Sequence, residues 1–229
     1  MWNRAEVKNK GKVNFKKNYW KSVLVAFIYS LFFVGSSAAY STRRQEIQDS
    51  SLNDPNVIAI LLALLAILGI LMIFSTIVDL FLLNPLEVGC NRFFLVNQDQ
   101  EAPVDELVYS YKNNYWATVV GIFLQTLLIT VGFILFIIPG VILIYSTRMV
   151  PFILADDPTI SATDAIKRSM EMMKGNKWKA FVFDLSFLGW ELLGLLTCGI
   201  LDFFYVRPYK LNADAALYQA IRDSSSVQR

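Results

Sequence analysis

The residues best placed to do chemistry in this chain are charged side chains inside long apolar runs. There are six of them, and they are Asp79, Arg148, Asp184, Glu191, Asp202 and Arg207. A charge at membrane depth costs at least a few kcal/mol, so such a side chain usually faces a partner or water. We predict a polar cluster in the inner leaflet, with Glu191 nearer the outer leaflet. At about 1.5 Å of rise per residue, its carboxylates would share one layer, with Arg207 below.

Two interpretations of these charges remain open at the level of sequence. In the first they form structural ion pairs that hold helices together, and in the second they line a path for a proton, an ion or a ligand. Enzymatic chemistry is poorly supported, because the chain has no His, no glycine-rich phosphate loop and no G-x-S-x-G motif. Cys90 and Cys198 are too few for a usual zinc site. We expect no catalytic residue, metal or cofactor.

The composition indicates an integral membrane protein. Of 229 residues, 55% are hydrophobic and 17% are charged, which is too apolar for an ordinary soluble domain. The sequence predicts an all-α bundle with six spans, at residues 21–39, 57–83, 117–138, 141–155, 179–196 and 200–217. A tight turn at Ile138, Pro139 and Gly140 would join the third and fourth. Residues 37–39 resemble a signal-peptide cleavage site, but we favour a first span that is retained.

A short phrase, K-x-N-x-W, precedes three of these spans. Its residues are Lys16, Asn18 and Trp20, then Lys112, Asn114 and Trp116, then Lys174, Asn176 and Trp178. Tryptophan at the start of a span sits among lipid headgroups, lysine reaches phosphates and asparagine can cap the helix. We therefore interpret the phrase as an interfacial anchor. A ligand site built from the three tryptophans is the less favoured alternative.

The phrase divides one membrane domain, residues 1–229, into three pseudo-repeated units of about 1–97, 98–157 and 158–229, each an interfacial helix plus a helical hairpin. In the third unit Ser161 begins a capping box and Gly175 ends the helix. In the second unit Pro103 opens a helix. Residues 3–17 contain Gly11 and show weak periodicity, so for the first unit we predict a basic segment that is not a well-formed helix.

The basic residues predict the topology. Most Lys and Arg residues fall on the side of the N-terminus, and only Arg43 and Arg44 fall on the opposite side, so both termini are expected in the cytoplasm. Cys90 and Cys198 would then lie on opposite sides and not pair. The basic N-terminus would attract anionic lipid, and each Lys or Arg near the membrane surface contributes about 1 kcal/mol to this attraction. Nucleic-acid binding is not expected, because a basic folded domain with interleaved aromatics is missing.

The chain resembles a known family over essentially its whole length, and the specific segments lie in its second half. The matching segments are residues 138–140, 155–158, 161–162, 165–169, 173–178, 184–190, 196–200 and 208–209. They are similar to an uncharacterised bacterial membrane-protein family, domain of unknown function 975. The resemblance implies a protein of the bacterial cytoplasmic membrane, distantly similar to the membrane domain of some glycerophosphodiester phosphodiesterases. It implies no activity.

These observations favour a multi-pass, non-enzymatic accessory protein that binds lipid, an amphiphile or a membrane partner. The alternative is a small-molecule or ion transporter or channel that uses the intramembrane charges. The expected partners are membrane lipids, anionic on the cytoplasmic side, and a membrane-protein partner or a second copy of the chain.

Overall fold

A computed structural model describes residues 3–33, 55–197 and 199–226, and these ranges contain helices and no strand. The helices are α1 (Arg4–Lys17), α2 (Tyr19–Phe33), α3 (Pro55–Val78), α4 (Asn84–Val96), α5 (Tyr109–Lys112), α6 (Tyr115–Leu135), α7 (Ile137–Thr147), α8 (Val150–Asp156), α9 (Ala162–Met172), α10 (Lys177–Leu185), α11 (Leu188–Leu196) and α12 (Arg207–Ser226). A 3₁₀ turn covers Val104–Val108, and π-helical turns cover Asp79–Leu83 and Asp202–Val206.

Three of the helical segments are long and apolar enough to cross a membrane: Leu61–Val96, Tyr115–Leu135 and Ile137–Asp156. The chain is therefore associated with a membrane. The first of these segments runs without interruption from α3 through the π-helical turn into α4.

The hydrophobic core lies at one end of these segments. Five helices supply most of it, namely α1, α4, α8, α9 and α12, and we call them the inner layer. Phe93 of α4, Ile153 of α8 and Leu217 of α12 are fully buried. The inner layer is thus packed like the interior of a soluble domain.

Away from this core, the apolar segments expose their side chains. We call α3, α11 and residues 131–142 the outer spans. Ile70 in α3, Ile134 in α6 and Leu196 in α11 are among the exposed large hydrophobics of the outer spans. A surface of this kind needs a lipid or protein environment, since large apolar patches are rare on soluble monomers.

Prolines distort the helices at the border of the inner layer without ending them. The π-helical turns immediately precede α4 and α12, where Pro85 and Pro208 lack the N–H that a regular helix would donate. Each proline leaves free the carbonyl four residues earlier. The Tyr115 hydroxyl donates to the Phe81 carbonyl at 2.8 Å, and the Tyr19 hydroxyl donates to the Phe204 carbonyl at 3.2 Å.

The third proline follows the same rule with a different donor. Pro151 is the second residue of α8, and the carbonyl four residues earlier belongs to Thr147. It accepts a hydrogen bond from Gln125 Nε2 at 3.1 Å. All three freed carbonyls therefore accept a hydrogen bond from a side chain of a neighbouring helix.

The prediction that the first segment is not a well-formed helix was wrong. It forms α1, whose buried residues are Val7, Gly11, Asn14 and Phe15, a spacing of one helical face. A Cβ at Gly11 would lie 2.7 Å from the Cα of Ala213, so the glycine allows α1 to approach α12 closely. The periodicity was hidden because a glycine and an asparagine occupy two core positions.

Three other predictions change in detail. The reversal before α7 lies at Phe136, whose backbone is extended, so Pro139 and Gly140 belong to the first turn of α7. The predicted fifth span, 179–196, is divided into α10 and α11 at Ser186 and Phe187. The helix predicted after Pro103 is a 3₁₀ turn followed by the short α5. Residues 37–39, Arg43, Arg44 and Cys198 lie outside the described residues.

Candidate functional site

Four charged side chains meet where the inner layer joins the outer spans, and we call Arg148, Asp184, Lys210 and Asp214 the charge cluster. The Arg148 guanidinium donates to both carboxylate oxygens of Asp184, at 2.5 and 2.8 Å, and to Asp214 at 2.7 Å. Lys210 Nζ lies 3.2 Å from Asp184 and 3.5 Å from Asp214. Two cations balance two carboxylates, so the charge cluster is internally neutral.

The charge cluster connects three helices that are distant in sequence. Arg148 follows the last residue of α7, Asp184 lies near the end of α10, and the other two members are one turn apart on α12. The Tyr145 hydroxyl adds a 3.1 Å hydrogen bond to Asp184. Side-chain exposure is between 15% and 27% at the four members, so the attraction between them is only partly screened by solvent.

The structure brings together part of the predicted polar cluster. Arg148 and Asp184 meet, whereas Asp202 lies apart and pairs with Arg207, with 3.6 Å between Nε and Oδ2. Asp79 is exposed and forms no ion pair with any residue that the structure describes. Glu191 is also exposed, and no hydrogen bond or ion pair to its side chain occurs within 3–33, 55–197 and 199–226.

Sequence reasoning missed Lys210 and Asp214 as members of the site. A signal for them was present, because a Lys and an Asp four residues apart face the same side of a helix. Pro208 interrupts the last apolar run, and this interruption does not by itself indicate that a helix continues beyond it. Burial of that helix could not be inferred from its mixed composition.

A cavity of about 580 Å³ opens between α11 and α12, beside the charge cluster. Its lining residues are Glu191, Gly194, Leu195, Gly199, Asp202, Val206, Arg207, Lys210, Leu211 and Asp214. Lys210 and Asp214 belong to both features, so the charge cluster forms part of the cavity wall. Five of the ten lining residues are charged and three are large apolar residues, so the wall can contact both the polar and the apolar part of an amphiphilic molecule.

The asparagines of the K-x-N-x-W phrase make contacts that sequence reasoning did not anticipate. Asn18 is buried, and its amide donates to Asn97 Oδ1 at 3.0 Å and to the Ala102 carbonyl at 3.3 Å. Asn97 in turn donates to Asn212 Oδ1 at 2.8 Å. Asn18 lies at the cap position between α1 and α2, and its side chain also belongs to a buried amide network that connects the inner layer.

The other two asparagines bond main-chain carbonyls. Asn114 Nδ2 donates to the Ile160 carbonyl at 2.8 Å, and Asn176 Nδ2 donates to the Met172 carbonyl at 2.9 Å. The tryptophans of the three phrases behave alike, since each exposes at least two thirds of its surface. They lie on the periphery, outside the cavity and the charge cluster.

Another ion pair connects α8 and α12 within the inner layer. Arg222 donates to Asp156 at 3.0 Å, and the Tyr218 hydroxyl donates to the same carboxylate at 2.9 Å. Burial, reinforced by the negative charge of Asp156, raises the pKa of Tyr218, so the phenol remains a donor. No three His, Cys, Asp or Glu residues within the described ranges lie close enough to bind a metal ion.

Comparison with known proteins gives one finding. Searches of curated proteins and of solved structures found no match to the chain. A family model matches residues 106–225, which include the whole charge cluster and the whole cavity lining. The chain belongs to the family described as protein of unknown function (DUF975).

Proposed function

We propose that this chain is a multi-pass protein of the bacterial cytoplasmic membrane that binds an amphiphile between α11 and α12 and catalyses no reaction. The observation that carries this proposal is the cavity of about 580 Å³, whose wall combines Leu195, Val206 and Leu211 with charged side chains. A volume of this size accommodates a small amphiphile or part of a lipid chain.

The state of the charge cluster supports binding over conduction. Each member has an oppositely charged partner, and the arginine uses both ends of its guanidinium. A proton or ion path needs a group that exchanges its partner, whereas a saturated network mainly holds helices in place. We therefore assign the charge cluster a structural role and place the ligand in the adjacent cavity.

The proposal includes six spans and three repeated units, arranged as a ring. Hydrogen bonds between successive units support it. Asn18 bonds the carbonyl of Ala102, just before the second interfacial segment, and Asn114 bonds the carbonyl of Ile160, just before the third. The tyrosines after these asparagines reach the freed carbonyls of Phe204 and Phe81, in the third and first units.

The proposed orientation places both termini and the inner layer on the cytoplasmic side. The distribution of Lys and Arg supports this, because the basic helix α1 belongs to the inner layer. Exposed Trp20, Trp116 and Trp178 would then lie at the inner headgroup level, where contact with anionic lipid is expected.

Blocking the cavity tests the binding proposal. Leu195 lines the cavity and is 76% exposed, while Leu196 is 79% exposed and does not line it. We expect Leu195→Trp to reduce the amphiphile that copurifies in a neutral detergent by about fivefold or more, a loss of about 1 kcal/mol. Leu196→Trp is the matched control and should retain it.

Mass spectrometry of the purified protein, with empty micelles as background, measures this difference. Equal retention by both variants, or no bound molecule above background in the unmodified protein, would contradict the proposal. Both variants should melt at the temperature of the unmodified protein, which separates loss of ligand from loss of fold.

A transporter is the second candidate, and one observation favours it. The break at Ser186 and Phe187 begins two residues after Asp184, and Lys8 Nζ donates to the Ser186 carbonyl at 3.4 Å. Interrupted helices beside charged groups are common in transporters. Saturable uptake of a candidate substrate into proteoliposomes, abolished by Asp184→Asn at unchanged protein content and melting temperature, would establish transport over binding alone.

A further inference from the structure

The charges around the cavity do not balance, and the excess identifies a ligand class. Four carboxylates lie in the charge cluster and the cavity wall: Asp184, Glu191, Asp202 and Asp214. Three cations face them: Arg148, Arg207 and Lys210. Within these two sets of residues, the carboxylates therefore outnumber the cations by one. The Lys8 ammonium, which donates to the Ser186 carbonyl and lies over the Phe187 ring, belongs to neither set.

The excess charge can be assigned to one residue. Arg207 is paired with Asp202, and the charge cluster is neutral within itself. Glu191 remains, and its side chain makes no hydrogen bond or ion pair within the residues that the structure describes. It lines the cavity and is exposed, so an incoming molecule can reach its carboxylate.

An isolated carboxylate inside a membrane span is energetically unfavourable. Glu191 lies in α11, beyond the break at Ser186 and Phe187, within the span proposed above for residues 179–196. A charge in that environment costs at least a few kcal/mol unless it finds a counterion. The nearest apolar groups of the cavity, including Leu195 and Val206, offer none.

We propose that the cavity binds a monovalent organic cation with an apolar body, whose positive charge is held by the Glu191 carboxylate. This inference rests on the proposed binding function and adds the charge of the ligand. An anionic amphiphile fits poorly, because Arg207 and Lys210 are already paired with carboxylates. It would also be repelled by Glu191.

Two ions of nearly equal size and opposite charge test the inference. The probes are tetraphenylphosphonium, an apolar cation, and tetraphenylborate, an apolar anion, each measured by equilibrium dialysis against the whole protein in a neutral detergent. We expect saturable binding of the cation and at least about tenfold weaker binding of the anion, a difference of about 1.4 kcal/mol, since Glu191 attracts the first ion and repels the second.

Variants locate the effect. Glu191→Gln should weaken cation binding about tenfold, whereas Glu191→Asp, which retains the charge, should preserve most of it. Glu101→Gln removes the same charge from an exposed residue that pairs with Lys21, far from the cavity lining, and should change nothing. Melting temperatures show whether each variant is folded.

The outcomes separate this inference from the function it rests on. Equal binding of both ions, or unchanged cation binding in Glu191→Gln, overturns the assignment of charge. If neither ion binds while the copurifying amphiphile still depends on Leu195, the ligand class is wrong and the binding function stands. If neither ion binds and Leu195→Trp has no effect, both proposals fail.

Discussion

The inner layer and the outer spans use apolar residues in opposite ways. In the inner layer Phe93, Ile153 and Leu217 are fully buried, and buried amides satisfy one another. In α3, a helix of higher apolar content, Leu65, Ile70 and Phe74 are each more than 60% exposed. Hydropathy therefore does not locate the core of this protein. Close packing is concentrated in helices that contain both polar and apolar residues. The most apolar helices instead expose their side chains at the surface of the protein.

The border between the two regions should be the most sensitive to mutation. Arg148→Gln leaves Asp184 and Asp214 with Lys210 as their one remaining cation in the charge cluster. Removing one partner of a buried ion pair costs about 3–5 kcal/mol. We expect a large fall in the melting temperature. Tryptophan fluorescence of the protein in a neutral detergent measures it.

Partial recovery should follow when the charges are balanced again. The double variant Arg148→Gln with Asp184→Asn should melt above the single variant, because it removes the uncompensated carboxylate. Lys167→Gln is the control, since Lys167 is 73% exposed in its pair with Asp164 and such pairs contribute about 1 kcal/mol or less. Unfolding of Arg148→Gln at the original temperature would remove the structural role of the charge cluster.

Truncating one leucine in each region tests the comparison directly. Leu217 is fully buried in the inner layer, whereas Leu65 in α3 is 63% exposed. Leu217→Ala creates a cavity and should destabilise the protein by about 2–5 kcal/mol. Leu65→Ala should change the free energy of unfolding by less than about 0.5 kcal/mol in detergent.

Thermal unfolding of both variants under identical conditions compares the two losses of stability. A similar loss in the two variants would mean that α3 is packed against something in the purified protein, such as a second copy. Size-exclusion chromatography with light scattering would then show an oligomer that Leu65→Ala weakens.

The sequence was sufficient to predict the helical fold, the membrane association and the contact between Arg148 and Asp184. These follow from local signals, namely composition, the length of apolar runs and the cost of burying a charge. The helix α1 could not be predicted, because Gly11 and Asn14 take core positions that a hydrophobicity pattern assigns to larger apolar residues. Their partners, Ala213 and Gln98, are distant in sequence.

The cavity was also beyond reach of the sequence, for a related reason. Glu191 and Asp202 were recognised as unusual, but which charges neutralise each other depends on the angle between α11 and α12. A Cβ at Gly194 would lie 3.0 Å from the Asp202 Cβ, so this glycine lets the two segments approach closely, and the π-helical turn at Asp202–Val206 is not encoded in hydrophobic periodicity. Residue types at this site were predictable, and their pairing was not.

Substituting one glycine in each region should give the smallest of the three changes in stability. The variant and its control then carry the same substitution, glycine to alanine. A Cβ at Gly89 of α4 would lie 1.9 Å from the carbonyl oxygen of Leu107, whereas a Cβ at Gly69 of α3 would meet nothing within 4 Å. Gly89→Ala must push the 3₁₀ turn away from α4, which should cost about 1–3 kcal/mol. Gly69→Ala should be neutral or stabilise α3 by up to about 1 kcal/mol, because alanine favours the helix. The same change from glycine to alanine thus tests for close packing in each region. The melting temperatures of the two variants measure the difference. Equal losses at both positions would show that α3 has a tight contact of its own, and the contrast between inner layer and outer spans would not hold.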